Sequence, residues 1–266
     1  MKKLALLILV ALFSVDCATV PVTGRKQLSL VSNSEILPMS YTSYKAVLDS
    51  SKISSNKEQA EMVKRVGSNI QTAVEAFMAE NGWSDQLSGY EWEFNLIEGD
   101  IVNAWCMPGG KVVFYTGIMP VCQDEEGVAV VMGHEVAHAI ANHGAERMSQ
   151  GLMQQMGGVA LGAAMANKPD ETKQMFGMAY GLASNYGAML PFSRLHESEA
   201  DKMGLTFMAM AGYNPEEAPK FWERMAALSG GSAPPEFFST HPSHETRIRD
   251  LQANIPEAMK HYKPRQ

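Results

Sequence analysis

The chain has 266 residues, with 22 Lys plus Arg against 29 Asp plus Glu, and a net charge of −7. That acidic balance, with no basic block anywhere, argues against nucleic acid as a partner, and three cysteines are too few for a disulfide framework. The length suits one globular domain with extensions, or two small domains.

In chain order, Lys2 and Lys3 precede the apolar run Leu4 to Phe13, which is too short to span a bilayer as a mature helix. Residues 1–16 therefore read as a secretory signal. Cys17 follows at once and resembles a bacterial lipoprotein attachment site, with membrane attachment through acyl chains on Cys17. Ser14-Val15-Asp16 lacks the usual leucine and the small residue before the cysteine, so ordinary signal cleavage and an uncleaved anchor stay open. Residues 17–56 are expected to form a lipid-anchor stalk and an N-terminal strap, with 18–35 extended.

Residues 57–252 are expected to form the main domain, and 253–266 a C-terminal tail. From Lys57 to Glu80, Ala60, Val63, Val66, Ile70, Val74 and Phe77 recur every three or four residues, which predicts an amphipathic helix closed by Asn81-Gly82. Glu91–Ile97, Asp100–Met107 and Lys111–Thr116 have strand character, the last two joined by Pro108-Gly109-Gly110, and predict a small antiparallel sheet. Cys106 and Cys122 read as small buried residues rather than a disulfide. Gly151–Ala166, rich in Gly, Ala and Met, reads as a closely packed helix or as a mobile, membrane-apposed segment, and Lys168-Pro169-Asp170 breaks the region into two helices. Helices over Leu195–Ala211 and Pro215–Leu228 follow.

Between the sheet and the methionine-rich region lies His134-Glu135-Val136-Ala137-His138. On a helix, with about 100° per residue, two histidines four apart share a face and bind one ion together. Glu135 sits about a quarter-turn away, outside the ligand set yet close enough to take a proton from a water on the ion. Asp124, Glu125 and Glu126 supply an acidic first turn for this helix.

A catalytic zinc takes a third protein donor and keeps an open position. His143, nine residues beyond His134, lies about 180° round an unbroken helix and reads as a packed or surface residue. His196-Glu197-Ser198-Glu199-Ala200-Asp201 is the better source, since Glu197 and Asp201 share a face. Taken alone, that acidic run would read as a solvated helix face.

Four pieces in order are Asn103-Ala104-Trp105-Cys106-Met107-Pro108-Gly109-Gly110, Gly133-His134-Glu135-Val136-Ala137-His138, Glu197-Ser198-Glu199-Ala200-Asp201, and Ser239-Thr240-His241-Pro242 with Arg247. Together they resemble the gluzincin zinc metallopeptidases related to HtpX, the CaaX prenyl endoprotease, the Oma-type protease and the β-barrel assembly-enhancing protease, over residues 20–252. The resemblance implies an α+β, mainly helical zincin catalytic domain with one zinc ion per chain. It implies His134, His138 and Glu197 as metal ligands, and Glu135 as general base. Asp201 would orient a ligand histidine, and His241 would sit near the open position, as an oxyanion stabiliser or an inhibitory ligand. Asn103 and Ala104 would offer a strand edge to an unfolded peptide. His196 and His244 have no counterpart and read as surface residues. The expected protein is a compact, lipid-anchored endopeptidase facing the periplasm, on the outer rather than the inner membrane. It would cleave unfolded or misassembled envelope proteins and work beside an envelope assembly complex. The alternative is a zinc-stabilised chaperone or scaffold that binds peptides without cutting them; only hydrolysis requires Glu135.

Overall fold

Asp124 caps the most buried helix among the described residues by accepting the Gly127 N–H at 3.0 Å, with Glu125 and Glu126 in the first turn complementing its dipole. This helix, Glu125–Ile140, carries both predicted histidines, and the remaining elements are placed around it. The computed structural model describes residues 17–228 and 243–265. Within them, β1 (Cys17–Thr19) and β2 (Lys26–Leu28) form an antiparallel hairpin. Helices α1 (Asn33–Ser50) and α2 (Lys57–Glu80) lead to strands β3 (Glu93–Ile97), β4 (Ala104–Met107) and β5 (Lys111–Tyr115). A single turn, α3 (Met119–Cys122), precedes the histidine helix α4 (Glu125–Ile140). Then come α5 (His143–Ala164), α6 (Asp170–Ser184), a wide helical turn at Asn185–Met189, α7 (Leu190–Met210), α8 (Glu217–Leu228) and α9 (His244–Ala258).

The amphipathic helix appears where its periodicity places it. Asn56 caps α2 by accepting the Gln59 N–H at 3.1 Å, and Val63, Val66, Ile70, Val74 and Met78 bury its inner face. Gly67 lets α2 press on the sheet, since a Cβ there would meet the Phe94 ring at 2.3 Å. The small sheet has the expected size and place, but it is mixed. Its order is β3-β5-β4, with β4–β5 the antiparallel hairpin and β3 parallel to β5. The chain runs from β3 through Gly99–Asn103 to the far side of β5 before turning back, and hydrophobic alternation carries no information on that crossover.

Helix α1 falls in the stretch expected to be stalk and strap. Its signal is muted by Pro38 and weak amphipathicity, although the Glu35 carboxylate accepts the Ser32 N–H at 2.9 Å in a capping box. Helices α5 and α6 do break at Pro169. The close-packed reading of Gly151–Ala166 does not hold. Past Ser149, α5 leaves the core, Leu152, Met153, Met156 and Val159 are exposed, and the contacts are with α6, where Tyr180 Oη donates to the Gln154 carbonyl at 2.7 Å.

Candidate metal centre

Helices α4 and α7 cross at two glycines. A Cβ on Gly133 would stand 2.8 Å from the Gly204 carbonyl oxygen, and one on Gly204 would stand 2.8 Å from the His134 nitrogen. Backbone therefore rests on backbone, and the short crossing sets Glu197 of α7 against His134 and His138 of α4. Gly204→Ala must push the helices apart. It is expected to cost about 1–3 kcal/mol, as overpacking does, and to weaken metal retention by spreading the donors, read by thermal denaturation and metal stoichiometry.

At the crossing, His134 Nε2 lies 3.1 Å from His138 Nε2 and 3.5 Å from Glu197 Oε2, and His138 Nε2 lies 3.3 Å from Glu197 Oε1. A tetrahedral zinc with nitrogen and oxygen donors at about 2.0–2.2 Å sets its ligands about 3.3 Å apart. The three donors have that spacing, and their identity suits zinc. With protein groups alone, burial and Arg247 push His134 down, but Asp201 and Glu197 outweigh both and raise it to about 9. A metal ion competes with that proton for Nε2.

Each histidine is held from behind. His134 Nδ1 donates to Asp201 Oδ1 at 2.8 Å, and Asp201 also accepts from Arg247 Nη2 at 2.6 Å. Burial raises the Asp201 carboxyl, but Arg247 and His134 bring it below the ordinary value. Arg247, on α9, stacks its guanidinium 3.5 Å from the Trp222 ring centroid. His138 Nδ1 meets His143 Nδ1 at 2.8 Å, and His143 Nε2 meets Glu199 Oε2 at 3.0 Å.

The centre opens on a cleft of about 530 Å³ lined by Asn103, Ala104, Trp105, Glu135 and Trp222 among others. Burial pushes the Glu135 carboxyl up, with Glu197 adding to the rise, and although His134 and Arg247 oppose it the value reaches about 7. Among the described residues β4 pairs only with β5, so its other edge faces no strand.

The structure thus brings together His134, His138, Glu197, Glu135, Asp201, Asn103 and Ala104. Cys17 begins β1, far in sequence from the centre, and His241 lies outside the described residues. Two expectations are corrected. His196 is fully buried, because its Nε2 donates to Glu146 at 2.9 Å and its ring stacks on His143. His244 is half-buried in the cleft wall, its ring 6.2 Å from that of Trp222. The acidic run is buried, with Glu197, Glu199 and Asp201 all pointing inward. Cys106 and Cys122 are free thiols, Cys122 fully buried and Cys106 partly so.

Sequence reasoning missed Arg25, His143, Glu146 and Glu199 around the centre. The available signal was a third histidine five residues past the pair, but its direction depended on Asn142, whose φ of 53° ends α4 and swings His143 back against His138.

The profile of peptidase family M48 matches residues 64–255, well over half of the chain and the whole of this centre. The chain belongs to peptidase family M48. As an M48 chain it is similar to the mitochondrial metalloendopeptidase OMA1 of Schizosaccharomyces pombe, 37% identical over 191 residues, covering 71% of this chain and 53% of the relative. The human mitochondrial metalloendopeptidase OMA1 is 29% identical over 245 residues, covering 90% of this chain and 46% of the relative. The β-barrel assembly-enhancing protease of Escherichia coli is 30% identical over 167 residues, covering 60% and 34%. The M48 chain thus spans about half, or less, of the length of these relatives. Among its described residues no helix is long and apolar enough to cross a membrane.

Proposed function

We propose that this M48 chain is an exported zinc metalloendopeptidase that cuts unfolded or misassembled proteins of a bacterial envelope. The observation that carries it is the meeting of His134, His138 and Glu197 at zinc-ligand spacing, in a cleft shared with Glu135 and with β4. When bound there, zinc supplies Lewis acidity, polarising the scissile carbonyl and acidifying a water. Glu135 takes the proton of the attacking water on a carboxylate oxygen and hands it to the leaving amine nitrogen. Burial raises that carboxyl above its ordinary value, which suits it to accept and then release a proton. Asp201 and Arg247 hold the His134 ring with Nε2 toward the ligand point. An extended peptide laid along β4 pairs through its backbone, which makes selection broad and favours unfolded chains. His241 is assigned to the open position by family resemblance alone.

The envelope setting rests on the signal-like residues 1–16 and on the β-barrel assembly-enhancing relative, which also motivates association with an assembly complex. Attachment is proposed through acylated Cys17. Cys17→Ser is expected to move the protein from the membrane to the soluble envelope fraction; an unchanged distribution, with no acyl mass on the native N-terminal peptide, rejects lipidation. The enzymatic proposal is tested by incubating zinc-loaded protein with casein, with and without chelator, and mapping new termini by mass spectrometry. Chelator-sensitive new termini support it, and their absence at stoichiometric zinc refutes it.

A further inference from the structure

The N-terminal hairpin reaches the metal centre from behind. Its turn is tight: Val20 N–H donates to Arg25 O at 2.9 Å and Gly24 N–H to Val20 O at 3.0 Å, with Val20 fully buried. Val22 has φ 65°, a region that a β-branched residue rarely adopts, and Gly24 has φ 70°. A strained turn persists where its surroundings hold it, and here they do so through Thr23 and Arg25.

Arg25 forks between two buried carboxylates. Its Nη1 and Nη2 donate to Glu146 at 3.0 and 2.7 Å, and its Nε donates to Glu199 at 2.9 Å. Thr23 Oγ1 also donates to Glu199, and the Leu28 N–H to Glu146 at 3.4 Å. Among the described residues Arg25 is the only arginine or lysine paired with either carboxylate. Behind them lie two parallel imidazoles, His143 on Glu199 and His196 on Glu146, with centroids 4.3 Å apart and planes 16° apart.

A carboxylate only accepts, so His143 carries its proton on Nε2 toward Glu199 and presents a bare Nδ1. That nitrogen accepts the Nδ1–H of His138 at 2.8 Å, which leaves His138 Nε2 as a lone pair aimed at the point shared with His134 and Glu197. Without Arg25, two buried like charges would face each other and Glu199 would lose the fork that aligns it.

We propose that Arg25 is a positioning residue of the metal centre, acting through Glu199 and His143 to fix the tautomer and orientation of the ligand His138. The inference rests on the zinc reading of His134, His138 and Glu197. It makes the hairpin that follows the proposed anchor a working part of the centre, 113 residues before His138 in the chain.

The test is a zinc affinity series by chelator competition on the full chain, with cobalt spectra of the same proteins reporting ligand geometry. Arg25→Ala and His143→Ala should each weaken zinc about 10–100-fold, the range for partners behind a ligand histidine. Both should alter the cobalt spectrum, while Arg65→Ala, which removes an exposed ion pair with Glu125, should change neither. The double variant should bind no more weakly than His143→Ala alone, because both act along one chain of hydrogen bonds. If Arg25→Ala does not fold, Arg25→Lys keeps the charge, loses the fork, and should still weaken zinc. Affinity and cobalt spectra unchanged in whichever Arg25 variant folds overturn the proposal, as do additive losses. A wild-type chain that binds no zinc overturns the metal reading itself, a result distinct from both.

Discussion

Glu135→Gln is expected to keep stoichiometric zinc while peptide cleavage falls by about 10²-fold or more, the lower end of what a positioned general base contributes. Glutamine has the same length and fits the same cleft wall, but it cannot hold the proton between attack and departure. The three donors at 3.1–3.5 Å spacing do not include Glu135, so the metal stays. The wild-type rate should also fall in acid. Burial raises the carboxyl toward about 7, and a cation beside it lowers it again, so the acid limb lies below about 7 and disappears in the glutamine variant. Equal loss of zinc and cleavage would place Glu135 among the ligands instead. A variant that matches the wild type in binding unfolded peptide, where neither protein cuts, would favour the chaperone reading.

Glu197→Gln is expected to strip the metal and abolish cleavage together. The amide removes the only negative donor among the three, and it leaves the Arg247 guanidinium, 3.4 Å from Glu197 Oε2, facing a site with less charge to balance it. The loss of affinity should exceed the about 10–100-fold of a partner behind a ligand. Glu199→Gln therefore separates the two carboxylates: it acts only through His143 and should weaken zinc within that smaller range. Metal analysis after dialysis against a chelator gradient reads both variants. The opposite order, with Glu199→Gln emptying the site and Glu197→Gln retaining zinc, would show that the helix phase assigned to this run is wrong.

Much of the architecture was legible because its causes are local. An amphipathic period placed α2, a Pro-Gly-Gly turn placed the β4–β5 hairpin, and an acidic first turn ahead of the paired histidines placed α4. Helix α1 was not legible, since Pro38 and a weak apolar face hid it. The parallel pairing of β3 was not legible either, because a crossover has no periodicity. The reversal at Asn142 mattered most for the site. One residue with φ 53° turned His143 from the far side of a helix to the back of His138, and a spacing rule that assumes an unbroken helix cannot foresee it.

The sequence by itself determined the pair His134 and His138, with Glu135 between them, because four residues make about one helical turn and the geometry of one turn does not depend on the rest of the fold. It also offered the run Glu197–Asp201 as a candidate source of a third donor, and family resemblance singled out Glu197. Only the tertiary structure decided how these meet. Gly133 and Gly204 bring two helices into backbone contact, Arg247 comes from the last helix to hold Asp201, and Arg25 comes from the first hairpin to hold Glu146 and Glu199. Periodicity reports which face of an element is apolar, whereas these contacts join residues more than 40 positions apart and depend on which faces the whole chain packs together.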